Sequence, residues 1–123
     1  MNKEMLKQRM KLLAVRIIHM TEKMPESQTA LVIRNQIIRS VTSIAANYSA
    51  SCRAKSKRDF INKLKIVEEE TDETIFWLEL IEETGIFHPE QLNPLKTEAN
   101  ELLSIIVASI KTVRQNTSKN RKS

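Results

Sequence analysis

Apolar residues recur along most of the chain at alternating intervals of three and four positions, the spacing of one face of an α-helix. The pattern predicts four helices, over about 3–24, 27–52, 57–84 and 94–116. Each predicted helix has one apolar stripe that must pack against the others. The stripes consist of Leu6, Met10, Leu13, Ile17, Met20 and Met24; Leu31, Ile33, Ile37, Val41, Ile44 and Tyr48; Phe60, Leu64, Val67, Thr71, Thr74, Ile75, Leu78 and Ile81; and Leu95, Ala99, Leu102, Ile106, Ile110 and Val113.

Helix-capping residues occur where these helices are predicted to begin and end. Ser56 is the predicted N-cap of the third helix, and Asp59 three residues later completes a capping-box-like start. Gly85, the only glycine, lies where a left-handed C-terminal cap is needed. Asn93 followed by Pro94 is typical of an N-cap and a first helical residue, so the fourth helix is predicted to begin there.

Length and composition favour a small number of long elements. The 123 residues have room for one domain with one core, and they include one glycine and three prolines. Four helices of similar length with short links predict an all-α, up-down-up-down antiparallel four-helix bundle over residues 1–116. Residues 117–123 are polar and basic, and we expect a flexible tail there.

The sequence contains no apolar segment long enough to span a bilayer and no apolar signal region near its first residues. Its single cysteine, Cys52, excludes an intramolecular disulfide and is typical of a reducing compartment. We therefore expect a cytoplasmic protein without a membrane partner.

Charged residues are segregated along the chain. Residues 1–65 contain fourteen Lys/Arg against four Asp/Glu, residues 66–101 contain one against eleven, and residues 102–123 contain five against none. Two interpretations have about equal weight. The opposite charges pack against each other within or between subunits, or the positive segments bind a polyanion.

Three basic segments are predicted to meet at one end of the bundle, because the link after the second helix lies beside the start of the first helix and the end of the fourth. Phosphate binding there would read the backbone and shape of a nucleic acid, since aromatic residues are only 4% of the chain. A further basic row follows the first helix. The candidate nucleic-acid-binding residues are Arg53, Lys55, Lys57, Arg58, Lys3, Lys7, Arg9, Arg16, Lys111 and Arg114.

Several apolar residues lie outside the predicted stripes. A monomeric bundle would expose them, and contiguous exposed apolar area usually marks an interface. Because several helices show the same excess, we favour a homo-oligomer over scattered exposed side chains. These residues are Ile18, Phe76, Leu80, Ile105 and Val107.

Glu70 lies in the apolar sector of the third helix, between Trp77 and Ile81 on a helical wheel. A carboxylate in that position has to be paired or protonated. Arg39, on the flank of the second helix, is its predicted partner in a structural ion pair. A catalytic carboxylate is the weaker alternative, because no second acid, histidine or metal-ligand set accompanies Glu70 by spacing.

Motifs for chemistry are absent from the sequence. It has no glycine-rich phosphate loop, no Cys/His metal-ligand spacing, and no Ser-His-Asp or Cys-His set. His19 and His88 are expected at the surface. We therefore predict no catalytic residue, no bound metal and no cofactor.

The second and third helices carry motifs that suggest a family. Gln-Ile-x-Arg-Ser-x-x-Ser-Ile-x-x-Asn from Gln36, Arg-x-x-Ser from Arg53 followed by an aromatic residue, and Glu-x-x-Glu-Thr-x-x-x-Leu from Glu70 resemble the bacterial four-helix-bundle proteins of the 23S ribosomal RNA intervening-sequence type. That family is related to the accessory protein of diversity-generating retroelements. Residues 47–51 depart from it, reading Asn-Tyr-Ser-Ala-Ser where family members often have Asn-Ile-Ala-Glu-Gly.

The resemblance implies a pentameric assembly with a central channel, RNA as a ligand, and a reverse transcriptase or a ribosomal component as a candidate partner. Together with the basic segments it favours a non-catalytic, RNA-binding scaffold protein. The alternative is an oligomeric protein–protein scaffold whose charge segregation serves assembly only.

Overall fold

Four long helices account for nearly the whole chain. The computed structural model describes residues 1–122, with side chains described for residues 1–116, and this part contains no strand. The predicted flexible tail, residues 117–123, lies outside the residues whose side chains are described. Helix α1 spans Lys3–Thr21, α2 spans Gln28–Ser51, α3 spans Lys57–Glu83 and α4 spans Pro89–Lys122.

The helices form the predicted all-α, up-down-up-down bundle. Each helix packs antiparallel against the next one in the chain, and α1 closes the bundle against α4. The α2–α3 interface is the most extensive of the four, and the α1–α4 interface is the most open. No helix in the described part of the chain is long and apolar enough to cross a membrane.

The predicted apolar stripes form one core along the length of the bundle. Leu31 was wrongly placed in it: this side chain is exposed, because it lies about 120° around α2 from the buried Ile37. Small polar side chains share the core, and Ser40, Thr71 and Thr74 are fully buried in it. The Thr74 hydroxyl donates a hydrogen bond to the Ser40 hydroxyl at 2.8 Å, which ties α3 closely to α2.

Helix α1 ends at Thr21, three residues earlier than predicted, because of Pro25. A proline disfavours the helical conformation of the residue before it, because the proline ring clashes with the backbone of that residue. At the end of the helix, two hydrogen bonds of 3.1 Å each span three residues. The Lys23 N–H donates to the Met20 carbonyl, and the Met24 N–H donates to the Thr21 carbonyl. Met24 nevertheless stays buried, so the apolar stripe continues past the end of the helix.

Both predicted caps of α3 are confirmed. The Ser56 hydroxyl accepts a hydrogen bond from the Asp59 N–H at 3.0 Å. The Asp59 carboxylate accepts one from the Lys55 N–H at 3.4 Å, one residue before the usual capping-box position. Gly85 has a φ of 74°. The Ile86 N–H donates a hydrogen bond to the Ile81 carbonyl, which completes a Schellman motif.

The prediction that Asn93 caps α4 is wrong, because the helix begins five residues before the predicted start. Pro89 occupies the first helical position. The Gln91 side chain accepts a hydrogen bond at 2.9 Å from the His88 N–H. The additional turn brings Leu92 into the core, where it is fully buried. Pro94 lies within the helix, which continues through it with one N–H donor fewer.

Candidate nucleic-acid interface

The bundle is electrically polarised along its axis. Antiparallel packing places the start of α1, the end of α2, the start of α3 and the later turns of α4 at one end. When each helix is cut near its middle, this half (residues 1–12, 42–69 and 103–116) contains twelve Lys/Arg and four Asp/Glu. The other half (13–41 and 70–102) contains five and eleven. We call these ends the basic pole and the acidic pole.

The link between α2 and α3 carries exposed positive charge at the basic pole. Arg53, Lys55, Lys57 and Arg58 are all exposed. Within the described residues, none of these four side chains forms an ion pair. Their charge is therefore available to a ligand.

A shallow cleft joins this link to two other predicted segments. Lys3 of α1, Lys55 and Lys57 line it together with Val113 and Asn116 of α4, and its volume is about 340 Å³. The structure thus brings three distant stretches of the sequence to one end, as the topology predicted. Lys111 and Arg114 lie about three and two turns before the end of α4 at Lys122, and both are exposed as well. Lys7 lies on the second turn of α1.

Arg9 and Arg16 do not belong to this free positive surface. The Arg9 guanidinium donates two hydrogen bonds to Glu98, at 2.6 and 3.0 Å, and lies 3.3 Å from Glu101. Arg16 lies further along α1 and lines a cleft with Phe87 towards the acidic pole. The predicted basic row on helix one is therefore divided between an ion pair and the far end of the bundle.

The Arg9–Glu98 pair is largely shielded from solvent. The two side chains are 21% and 20% exposed. The hydrogen bond from Arg9 holds the pKa of Glu98 below its ordinary value, although partial burial acts in the opposite direction. The same bond raises the pKa of Arg9.

Arg39 and Glu70 are in contact in the structure, with 3.2 Å between Arg39 Nη1 and Glu70 Oε2. Arg39 also forms an ion pair with Glu73. The Glu70 side chain is 19% exposed, but that of Arg39 is 49% exposed, so the pair lies at the surface of the α2–α3 interface. Among the described residues, no group of three His, Cys, Asp or Glu side chains is arranged to hold a metal ion.

Sequence reasoning missed a second cleft beside the first one. It has a volume of about 480 Å³ and shares Lys3, Phe60 and Val113 with the first cleft. Tyr48 lies in its lining. The helical spacing of Tyr48 and Phe60 indicated core positions, and no local pattern signals that α1 and α4 leave an opening there.

Comparison with known proteins agrees with the fold. Residues 3–108 match the model of a family described as 23S rRNA-intervening sequence protein. A crystal structure from Bacteroides thetaiotaomicron, of a protein with unknown function from the S23 ribosomal protein family, is similar with a TM-score of 0.83 and 35% sequence identity. The similarity covers 90% of this chain and 99% of that chain. No curated protein matches this sequence.

Proposed function

Because the chain belongs to the 23S rRNA-intervening sequence protein family, we propose that it is a non-catalytic scaffold protein that binds RNA through its basic pole. The family description connects such proteins with ribosomal RNA, and the similar crystal structure comes from a ribosomal protein family. The observation that carries the proposal is the exposed, unpaired positive charge of the α2–α3 link.

The proposed contacts are electrostatic and tolerant of sequence. Lysine and arginine side chains that neutralise phosphates release counterions, which makes binding depend strongly on salt. Contacts of this kind fix the position of an RNA without reading its bases. The proposed phosphate-binding residues of the basic pole are Arg53, Lys55, Lys57, Arg58, Lys3, Lys7, Lys111 and Arg114.

The scaffold would act as a cytoplasmic homo-oligomer, a pentamer by the family resemblance. Phe76 and Val107 support this proposal, because both are large apolar side chains exposed in the single chain. Ile18, Leu80 and Ile105 support it less, since each is half-buried within the subunit. Several basic poles in one assembly would bind one RNA more tightly than a single pole does. They could hold that RNA against a reverse transcriptase or a ribosomal component.

The second candidate function is a protein–protein scaffold in which the opposite charges serve assembly alone. A specific observation favours it: the Arg9–Glu98 and Arg39–Glu70 pairs both join the positive residues 1–65 to the negative residues 66–101. Part of the charge segregation therefore serves packing within the subunit. The four basic residues of the α2–α3 link, which enter no such pair, distinguish the two candidates.

A salt titration of binding to a structured RNA tests the proposal, with the oligomer mass confirmed by light scattering. Replacing Arg53, Lys55, Lys57 and Arg58 by Gln should weaken binding and leave the fold intact. The slope of log K against log salt should fall by about 1 for each phosphate that the variant no longer neutralises.

Two double variants provide a matched control with equal charge changes at opposite poles. Arg53→Gln with Lys55→Gln should weaken RNA binding, whereas Arg16→Gln with Lys23→Gln should change it by less than about twofold. Equal losses would indicate that net charge, rather than the basic pole, determines binding. An intact oligomer that binds no RNA at low salt would favour the assembly scaffold.

A further inference from the structure

We propose that the basic pole takes one unpaired nucleotide of the RNA into the larger cleft, with its base against Phe60 and its phosphate near Lys3, Lys55 and Lys57. The inference rests on the proposed function, because it specifies which part of an RNA the same surface would bind. Three features of the cleft support it: its size, its buried tyrosine and its aromatic wall.

The larger cleft has the size and composition of a small-molecule site. Its volume is about 480 Å³, and it adjoins the lysine-lined cleft of about 340 Å³. Ligand pockets typically span about 300–1,000 Å³, with an apolar lining and a few polar groups. The cleft therefore has room for a base beside a site for its phosphate. Its apolar lining includes Leu6, Phe60, Leu64 and Ile105.

Tyr48 supplies a polar group within this apolar lining. The residue is only 4% exposed, and its hydroxyl makes no hydrogen bond among the described residues. Because no group of the described residues bonds it, this hydroxyl can donate to and accept from a ligand that enters the cleft. Burial raises the pKa of Tyr48 to about 12, with a smaller contribution from Cys52, so the hydroxyl stays protonated at neutral pH. A neutral hydroxyl of this kind can bond the polar edge of a base.

Phe60 lines both clefts, and the Lys3 ammonium lies 4.8 Å from its ring centroid. A base that stacks on this ring would displace the ammonium, which could then bind the phosphate of the same nucleotide. Stacking on a single aromatic side chain contributes measurably to single-strand binding. Phe60 would thus contact the base of the nucleotide, and Lys3 would contact its phosphate.

A third cleft, at the acidic pole, offers a comparison. It has a volume of about 350 Å³ and is lined by Arg16, Lys23 and Phe87 among others. The half of the bundle around it contains eleven Asp/Glu against five Lys/Arg, which disfavours the approach of an RNA chain. The charge balance therefore assigns the nucleotide to the basic pole.

The test compares an RNA hairpin that carries one bulged 2-aminopurine with the same hairpin lacking the bulge. The wild-type protein should bind the bulged hairpin about tenfold more tightly, and the 2-aminopurine fluorescence should change on binding. Phe60→Leu should remove this preference and keep binding to the paired hairpin. Phe87→Leu, the same change in a half-buried phenylalanine at the other pole, should retain the preference.

Tyr48→Phe keeps the ring, removes only the hydroxyl, and should reduce the preference about threefold. Ser109→Leu places a larger side chain in the lining of the cleft and should also reduce it. This variant provides the test if Phe60→Leu does not fold, which thermal melting would show.

Equal affinity of the wild type for the two hairpins, or a preference that survives in folded Phe60→Leu, would overturn this inference and leave phosphate binding by the basic pole standing. Loss of the preference in Phe87→Leu alone would overturn it too. Adenosine monophosphate should compete only weakly, and competition as strong as that of the bulged hairpin would assign the cleft to a free nucleotide instead. Binding of neither hairpin would refute the proposed function together with this inference.

Discussion

The α2–α3 and α1–α4 interfaces hold their helices together in opposite ways. Between α2 and α3, the fully buried Ser40 and Thr74 are joined by a hydrogen bond of 2.8 Å, so small side chains allow the two backbones to approach closely. Between α1 and α4, Arg9 bridges to Glu98, and clefts of about 480 and 350 Å³ lie towards either end of that bridge. The closed interface contributes packing, and the open one provides room for a ligand.

The largest change in unfolding free energy is expected from a substitution that disrupts the closed α2–α3 interface. Ser40→Leu should lower the free energy of unfolding by about 2–3 kcal/mol, because a larger side chain has no space between α2 and α3 and the bond to Thr74 is removed. Urea denaturation at neutral pH measures the change. Ser40→Ala removes only the hydroxyl and should cost about 1 kcal/mol. If Ser40→Leu were as stable as Ser40→Ala, the interface would have spare volume.

The closed interface is also the part of the fold that the sequence predicts best. The apolar stripes are continuous in α3 and, from Ile33 onward, in α2. Ser56 and Gly85 mark the ends of α3 with groups whose geometry allows few alternatives. The start of α4 could not be predicted in the same way, because Pro89 and Pro94 both suit a first helical position. Burial of Leu92 in the assembled core favours the earlier start, and the core is a property of the whole bundle.

A smaller effect is expected from breaking the bridge of the open interface. Arg9→Met should destabilise the protein by about 1–2 kcal/mol at pH 7, between the values typical of exposed and buried ion pairs. The pKa of Glu98 is lowered in the folded protein, chiefly by its hydrogen bond from Arg9. Stabilisation by the pair is therefore present above the ordinary glutamate pKa of 4.5 and is lost as the pH falls through the lower pKa of the folded state.

Urea denaturation of wild type and Arg9→Met at pH 7 and pH 3 checks this prediction. The two proteins should differ more in unfolding free energy at pH 7 than at pH 3. Glu98→Gln, which keeps the shape but not the charge, should show the same convergence. An equal difference at both pH values would mean that the aliphatic part of Arg9, rather than its charge, stabilises the α1–α4 interface.

A weaker effect is expected from the ion pair at the surface of the closed interface. Arg39→Met should cost about 0.5–1 kcal/mol, because the Arg39 side chain is half exposed and solvent screens its attraction to Glu70 and Glu73. A fully buried pair would cost about 3–5 kcal/mol when one partner is removed. Denaturation in low and high salt distinguishes the two cases, since a screened pair weakens with salt and a buried one does not.

The candidate site was predictable in outline and not in detail. Antiparallel topology alone places the α2–α3 link, the start of α1 and the end of α4 together. Neutralisation of Arg9 was not predictable, because its partner Glu98 is 89 residues away in the sequence. The spacing of residues within one helix carries no information about a partner on another helix. Tyr48 and Phe60 follow the apolar stripes, so the sequence could not distinguish the lining of a cleft from a filled core.

The smallest change in unfolding free energy is expected from Ser109→Leu. It places in the open α1–α4 interface the same serine-to-leucine change that Ser40→Leu places in the closed α2–α3 interface. The Ser109 hydroxyl bonds only the Ile105 carbonyl of its own helix, at 2.8 Å, and the residue lines the cleft of about 480 Å³. Ser109→Leu should therefore change the unfolding free energy by less than about 0.5 kcal/mol, since the added apolar surface enters existing space and the hydrogen bond that disappears is local. A cost close to that of Ser40→Leu would show that α1 and α4 are closed against each other in solution. Tolerance of Ser109→Leu together with a weaker preference for the bulged hairpin would show that the opening between α1 and α4 contributes to binding rather than to stability.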